Sequence, residues 1–247
     1  MCIRDRSASG TTIPGLQLQV RERIKPVVTI TSPSNGARIT NNKQPVLFTA
    51  TDETNGSGVD LSSLVVKLDD VLVPSEQISN SAIANGYSFT YTPAEALSDG
   101  SHTVTVDISD HDGNTADQKT TTFIVDTVAP TLNVTAPTEG YITNTAELTV
   151  AGTTNDVTSS PVTVKITLNS ADQGAVTVNT GGAFSKQITL AEGANVIVIT
   201  ATDAAGKSTS VTRNVTLDSS QPAITSATIT PNPVDAGKTM LISVVIE

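Results

Sequence analysis

The sequence predicts an all-β fold built from tandem β-sandwiches, and three observations carry that prediction. Short runs of Val, Ile, Thr and Leu alternate with period two, clusters of Gly, Asn, Asp and Pro separate them, and the whole pattern recurs along the chain. Alternation places successive side chains on opposite faces of a sheet, β-branched residues suit a half-buried pleated surface, and the intervening clusters supply turn conformations. No stretch carries a helical period of useful length; residues 93–97 give one turn at most.

The repeat sets the domain size. Residues 26–40, PVVTITSPSNGARIT, lie over residues 130–143, PTLNVTAPTEGYIT, with one deletion, pairing Pro26 with Pro130 at an offset of 104. Residues 98–114, SDGSHTVTVDISDHDGN, lie over 191–207, AEGANVIVITATDAAGK, pairing Asp110 with Asp203 and Gly113 with Gly206 at an offset of 93. A third copy opens at Pro222 with PAITSATITPNPVDAGKT. The unit is therefore about 90 to 105 residues, the size of an immunoglobulin-type sandwich. The expected domains are 25–127, 128–218 and the start of a truncated third over 219–247, preceded by a leftover or non-native segment over 1–24.

The first unit is expected to place strands at 27–31, 46–51, 64–68, 71–73, 87–92, 102–109 and 120–125. The second repeats them at 131–135, 148–153, 162–168, 175–179, 183–189, 195–202 and 208–217. Within 162–168, Val162, Val164, Ile166 and Leu168 share the inward face and Thr163, Lys165 and Thr167 the outward one. Val104, Val106 and Ile108 likewise point inward, and Val196, Val198 and Thr200 oppose Ile197, Ile199 and Ala201. Aromatics are 3 % of the chain, so the cores are expected to be built of Val, Ile, Leu and Ala.

Composition narrows the function. With 24 acidic against 14 basic residues the net charge is −10, which disfavours nucleic-acid binding. No Trp, 3 Tyr and 4 Phe leave few rings to stack on sugars or bases. One Cys and two His are too few for a structural zinc site or a thiol redox site. Neither a run of about 18 apolar residues nor the apolar core of a secretory signal is written, so no membrane insertion is expected of this sequence. The opening MCIRDR reads unlike everything after it and resembles translated sequencing-adaptor read-through at the end of a metagenomic contig; the alternative is a natural start. The final MLISVVIE is a strand-like run with no turn after it, so the chain is expected to be cut within a domain at both ends.

The linker VDTVAPT over 125–131, the segment NGSGVDLSSLVVKL over 55–68 and the turns SDHDGN and TDAAGK resemble tandem bacterial immunoglobulin-like domains of surface and secreted proteins. The second unit, with EGANVIVITATDAAGKS, is similar to the domain-B-like module attached to glucodextranase and to bacterial surface proteins. The third copy's ITPNPVDAGKT also resembles immunoglobulin-like segments of phage tail proteins. The resemblance implies tandem immunoglobulin-like β-sandwiches with no catalytic role. It is compatible with a spacer or adhesion stalk of a larger bacterial surface protein, an accessory module of a secreted polysaccharide-degrading enzyme, or a phage tail segment.

Acidic residues at loops are the one group with chemical potential. In such a sandwich the loop after the second strand, the loop before the last strand and the incoming linker share an end. That gathers Asp52, Glu53, Asp60, Asp110 and Asp112 in the first unit, and Asp126, Asn155, Asp156 and Asp203 in the second. Hard oxygen ligands suit calcium, but Asp110 and Asp203 also stand three residues before a Gly, the pattern of a turn closed by its own Asp side chain. Without an EF-hand or a glycine-aspartate nonapeptide, turn chemistry is the preferred account, and no catalytic, cofactor or metal residue is assigned. His102 and His111 have no nucleophile in a recognisable elbow beside them and read as strand-end and turn residues. Asn55, Asn133 and Asn214 lie in sequons of the kind a Thr-rich chain generates by chance. Lys67 and Lys165 read as outward, against an isopeptide crosslink. The expected partners are neighbouring repeats of the same chain and an unspecified surface or glycan ligand, at the cell surface or outside the cell.

Overall fold

Where the alternation is strong, the chain pairs into ladders at the expected places. The computed structural model describes residues 22–230 and 235–246, so the expected leftover or non-native segment over 1–24 lies outside the described residues except for 22–24, as does the Pro-rich turn at 231–234. The chain divides into two units between Asp126 and Thr127.

In the first unit the strands are β1 (Val27–Ser32), β2 (Arg38–Ile39), β3 (Val46–Thr51), β4 (Val59–Leu68), β5 (Val71–Leu72), β6 (Ile78–Ile83), β7 (Gly86–Tyr91), β8 (Gly100–Asp110) and β9 (Lys119–Val125). One sheet runs β1-β3-β7-β6 and the other β2-β9-β8-β4-β5. β2 joins β9 in parallel, whereas β1 joins β3 antiparallel, so the first stretch of the unit contributes to both sheets. Val104, Val106 and Ile108 face inward and are at most 1 % exposed.

The second unit repeats the plan with β10 (Thr131–Ala136), β11 (Tyr141–Thr143), β12 (Glu147–Asn155), β13 (Thr163–Leu168), β14 (Ala171–Asp172), β15 (Ala183–Thr189), β16 (Gly193–Thr202) and β17 (Ser208–Leu217). Its sheets are β10-β12-β15 and β11-β17-β16-β13-β14. Val162, Val164, Ile166 and Leu168 are buried as a face, while Lys165 is exposed. Beyond it, β18 (Ile224–Thr230) and β19 (Leu241–Ile246) form an antiparallel hairpin.

Three expectations need correction. Residues 175–179 are not a ladder strand: β14 takes the hairpin position after β13, and Val178 makes only an isolated bridge to Phe184. Val176 and Val178 still pack against the core, so their alternation records burial without pairing. β2, β6 and β11 form strands that the alternation did not announce. Finally, aromatics are few but central: Phe48, Phe89 and Phe123 are almost fully buried in the first core and Phe184 in the second. Phe48 and Phe89 stack across β3 and β7 with centroids 4.7 Å apart and planes 9° from parallel. Each such ring stabilises by roughly 1.5–3 kcal/mol through burial alone.

Candidate functional site

The acidic residues fall into two kinds. Asp110 closes its own turn: Oδ1 accepts the Asn114 backbone N–H at 2.7 Å, Oδ2 accepts Asn114 Nδ2 at 2.6 Å, and Gly113 follows at φ +90°. Burial raises the Asp110 pKa, but the donors of Asn114 and the turn amides outweigh it and hold the carboxyl below its ordinary value. Asp203 does the same in the second unit, accepting from the N–H groups of Ala205 at 2.8 Å and Lys207 at 2.9 Å, with Gly206 at φ +91°. Asp60 accepts the hydroxyl and N–H of Ser62, which lower its pKa in that order. These three are turn-formers, as the glycine spacing indicated for two of them.

Asp52 and Glu53 are different. They follow β3 directly, and Glu22, a residue that a boundary at 25 leaves outside the domain, joins them. The three acids each offer a carboxylate oxygen within 4.8 Å of the others. Asp52 is 7 % exposed. Its Oδ2 accepts the Gly58 N–H at 2.7 Å, and Glu22 Oε2 accepts the Ser57 N–H at 2.5 Å. Among the described residues, Glu22 Oε1, Asp52 Oδ1 and Glu53 Oε2 are buried without a hydrogen-bond partner. Burial pushes the Glu53 carboxyl above its ordinary value, and the adjacent Asp52 and Glu22 carboxylates push the same way.

Backbone geometry brings Glu22 there. Its N–H donates to Asp112 Oδ2 at 2.9 Å and its carbonyl accepts Asn114 Nδ2 at 3.2 Å, which ties it to the β8–β9 loop. Its side chain reaches the β3–β4 loop. Gly56 floors the cluster: a Cβ there would stand 2.7 Å from Asp52 Oδ2 and 2.9 Å from Glu22 Oε2. Asp52, Glu53, Ser57, Tyr87 and His111 line a surface depression beside it. Of the acids expected together in this unit, Asp52 and Glu53 share the cluster, Asp112 supports it through Glu22, and Asp60 and Asp110 serve their own turns.

In the second unit Asp156 and Asp203, both buried, approach with carboxylate oxygens within 4.8 Å. Asp156 Oδ1 accepts the N–H groups of Thr158 at 2.8 Å and Ser159 at 2.6 Å. Asn155 is exposed at the end of β12. Asp126 closes the first unit, its N–H donating to the Ile39 carbonyl at 2.9 Å. Lys67 and Lys165 are exposed, Lys165 pairing with Asp172 at 3.1 Å. His111 is a turn residue whose N–H donates to the Gly58 carbonyl at 3.0 Å.

His102, near the start of β8, is only 6 % exposed. Nδ1 lies 2.7 Å from Asp69 Oδ2 and Nε2 2.8 Å from the Ser98 carbonyl, and the ring tilts against Phe123. Burial lowers its pKa, yet the Ser98 carbonyl and Asp69 carboxylate together win and hold it above the ordinary value. Two acceptors on two ring nitrogens favour the doubly protonated imidazolium.

Comparison with known proteins agrees with this architecture. Residues 26–127 match the family described as bacterial Ig-like domain, and residues 130–219 match glucodextranase, domain B. No curated protein matches the chain. Among solved structures, the fibronectin(III)-like modules of Clostridium thermocellum CbhA are 20 % identical over 77 % of this chain and 94 % of that one, with a TM-score of 0.47. Rst D1-D2 is 12 % identical over 77 % of this chain and 99 % of its own, with a TM-score of 0.41. The D00-D0 domain of Intimin is 16 % identical over 77 % and 100 %, with a TM-score of 0.33. The chain thus carries immunoglobulin-like sandwiches in tandem, the first matched by the bacterial Ig-like domain family and the second by glucodextranase domain B.

Proposed function

We propose that the chain is a non-catalytic spacer or adhesion stalk, a run of immunoglobulin-like repeats in a larger bacterial surface protein that holds a functional region away from its anchor. The observation that carries this reading is the succession of two immunoglobulin-like sandwiches, each with its own hydrophobic core. A net charge of −10 would keep neighbouring stalks apart at short range. Small-angle scattering of the whole chain tests it. A maximum dimension near the summed lengths of two sandwiches is expected, and a compact particle would count against a spacer.

A second reading draws on the match of residues 130–219 to glucodextranase domain B: an accessory module that contacts carbohydrate for an attached polysaccharide-degrading enzyme. The chain applied to a polysaccharide array separates the two. A spacer passes without retention, whereas selective retention supports the accessory module.

A further inference from the structure

We infer that Glu22, Asp52 and Glu53 form a calcium site at one end of the first sandwich. Among the described residues, Glu22 Oε1, Asp52 Oδ1 and Glu53 Oε2 have no hydrogen-bond donor, and no ion pair reaches any of the three side chains. A buried carboxylate oxygen without a donor is costly, and three like charges in one place cost more. The cluster is nevertheless built: amides of Ser57 and Gly58 fix one oxygen of Glu22 and one of Asp52, the three side chains each bring a carboxylate oxygen within 4.8 Å of the others, and Gly56 leaves room for them. Asp52 cannot turn to solvent, because it is 7 % exposed.

A divalent cation balances this arrangement. Calcium takes 6 to 8 oxygen ligands in flexible geometry, so three carboxylates, some bidentate, can be completed by water. Magnesium demands a tighter octahedron that long Glu side chains from separate segments fit less well. The donors are all hard oxygens, which argues against softer transition metals.

The internal repeat shows what is particular to this unit. At the offset of 104, Glu22 falls on Asp126 and Asp52 on Asp156, but Glu53 falls on Val157, which is 93 % exposed. Glu53 is therefore a feature of the first unit, and at the other acidic group Asp203, the counterpart of Asp110, lies near Asp156 instead. The site stands apart from the spacer reading and would hold whether the chain is a stalk or an accessory module.

The test follows the amides of Ser57 and Gly58 in nitrogen-edited NMR spectra of the whole, chelator-stripped chain during a CaCl2 titration. Saturable shifts of both amides are expected in the wild type, with affinity at least about tenfold weaker in Glu53→Gln, since calcium affinity follows ligand charge count. Gly56→Ala is the second variant. Its Cβ displaces only side-chain ends, so the fold is kept while the carboxylates move, and binding weakens likewise. Amides that stay still up to about 10 mM calcium, above the range of extracellular calcium modules, would overturn the site. So would a titration that both variants leave unchanged.

Discussion

The two units solve the same packing problem with different residues at matching positions. Ile30 of β1 pairs with Phe48, and Val134 of β10, 104 residues on, pairs with Gly152. Across the sheet Phe48 faces Phe89 and Gly152 faces Phe184. The first core thus stacks two rings, whereas in the second a single ring lies over a glycine, whose added Cβ would sit 2.7 Å from Phe184 Cζ and 2.4 Å from the Asn133 carbonyl oxygen. A second pair changes in the same concerted way. His102 and Asp69 of the first unit correspond to Asn195 and Asn169 of the second. In both, the side chain of the first residue of the two-residue hairpin turn accepts from a β8 or β16 amide at 2.8 Å and meets its partner on that strand. The units differ by whole interacting pairs, and in each the hydrogen bonds or contacts close.

The largest expected effect is at the ring stack. Phe89→Ala removes a buried ring and its partner's face, and should destabilise the first unit by about 3–5 kcal/mol. Denaturant titration read by hydrogen exchange on peptides of each unit would show the loss in 26–126 while 130–217 stays put. Equal loss in both would mean that the cores are energetically coupled. Next comes Gly152→Ala, which drives a methyl into Phe184 and a backbone oxygen that cannot yield, at about 1–3 kcal/mol in the second unit only. A neutral outcome would overturn this by showing that both the Phe184 ring and the Asn133 carbonyl shift to make room.

The smallest effect, about 1 kcal/mol for exchanging one closed pair for another, sharpens the polar half of the comparison. His102 has a raised folded pKa, so the stability it contributes is fully present below its unfolded pKa of about 6.5. That contribution is lost as pH rises through the folded value. The first unit should weaken over that window, and the double substitution His102→Asn with Asp69→Asn, which installs the second unit's amide pair, should flatten the dependence. A slope that survives the exchange would assign it to other groups.

Much of the fold was legible because burial was written as alternation: β3, β8, β13 and β15 occur where the pattern places them. β6 was not, since only Ile78 of ISNSAI is buried and an edge strand without an inward face leaves no period. β2 and β11 are two and three residues long and exist because β9 and β17 offer them an edge, which is a tertiary fact. The run 175–179 errs the other way, because alternation reports which side chains face inward and not whether a ladder forms. For the acids, turn spacing identified Asp110 and Asp203 correctly. Glu22 was hidden in a polar stretch 30 residues from its partners, where no local motif can register it. Extending the 104-residue offset four positions before Pro26 sets it over Asp126, the signal that could have found it.

The parallel pairing of β11 with β17, Tyr141 opposite Val215 and Thr143 opposite Leu217, also fixes how the second unit bears tension. When its two ends are pulled apart, neighbouring strands that run the same way are dragged in opposite directions along their length. Every bond between them is loaded at once, and none can peel ahead of the rest. The first unit has the same arrangement with one residue pair fewer, Arg38 opposite Ile124 and Ile39 opposite Val125. A fold whose opening segment crosses to lie beside its closing strand is latched in shear against stretching along the chain.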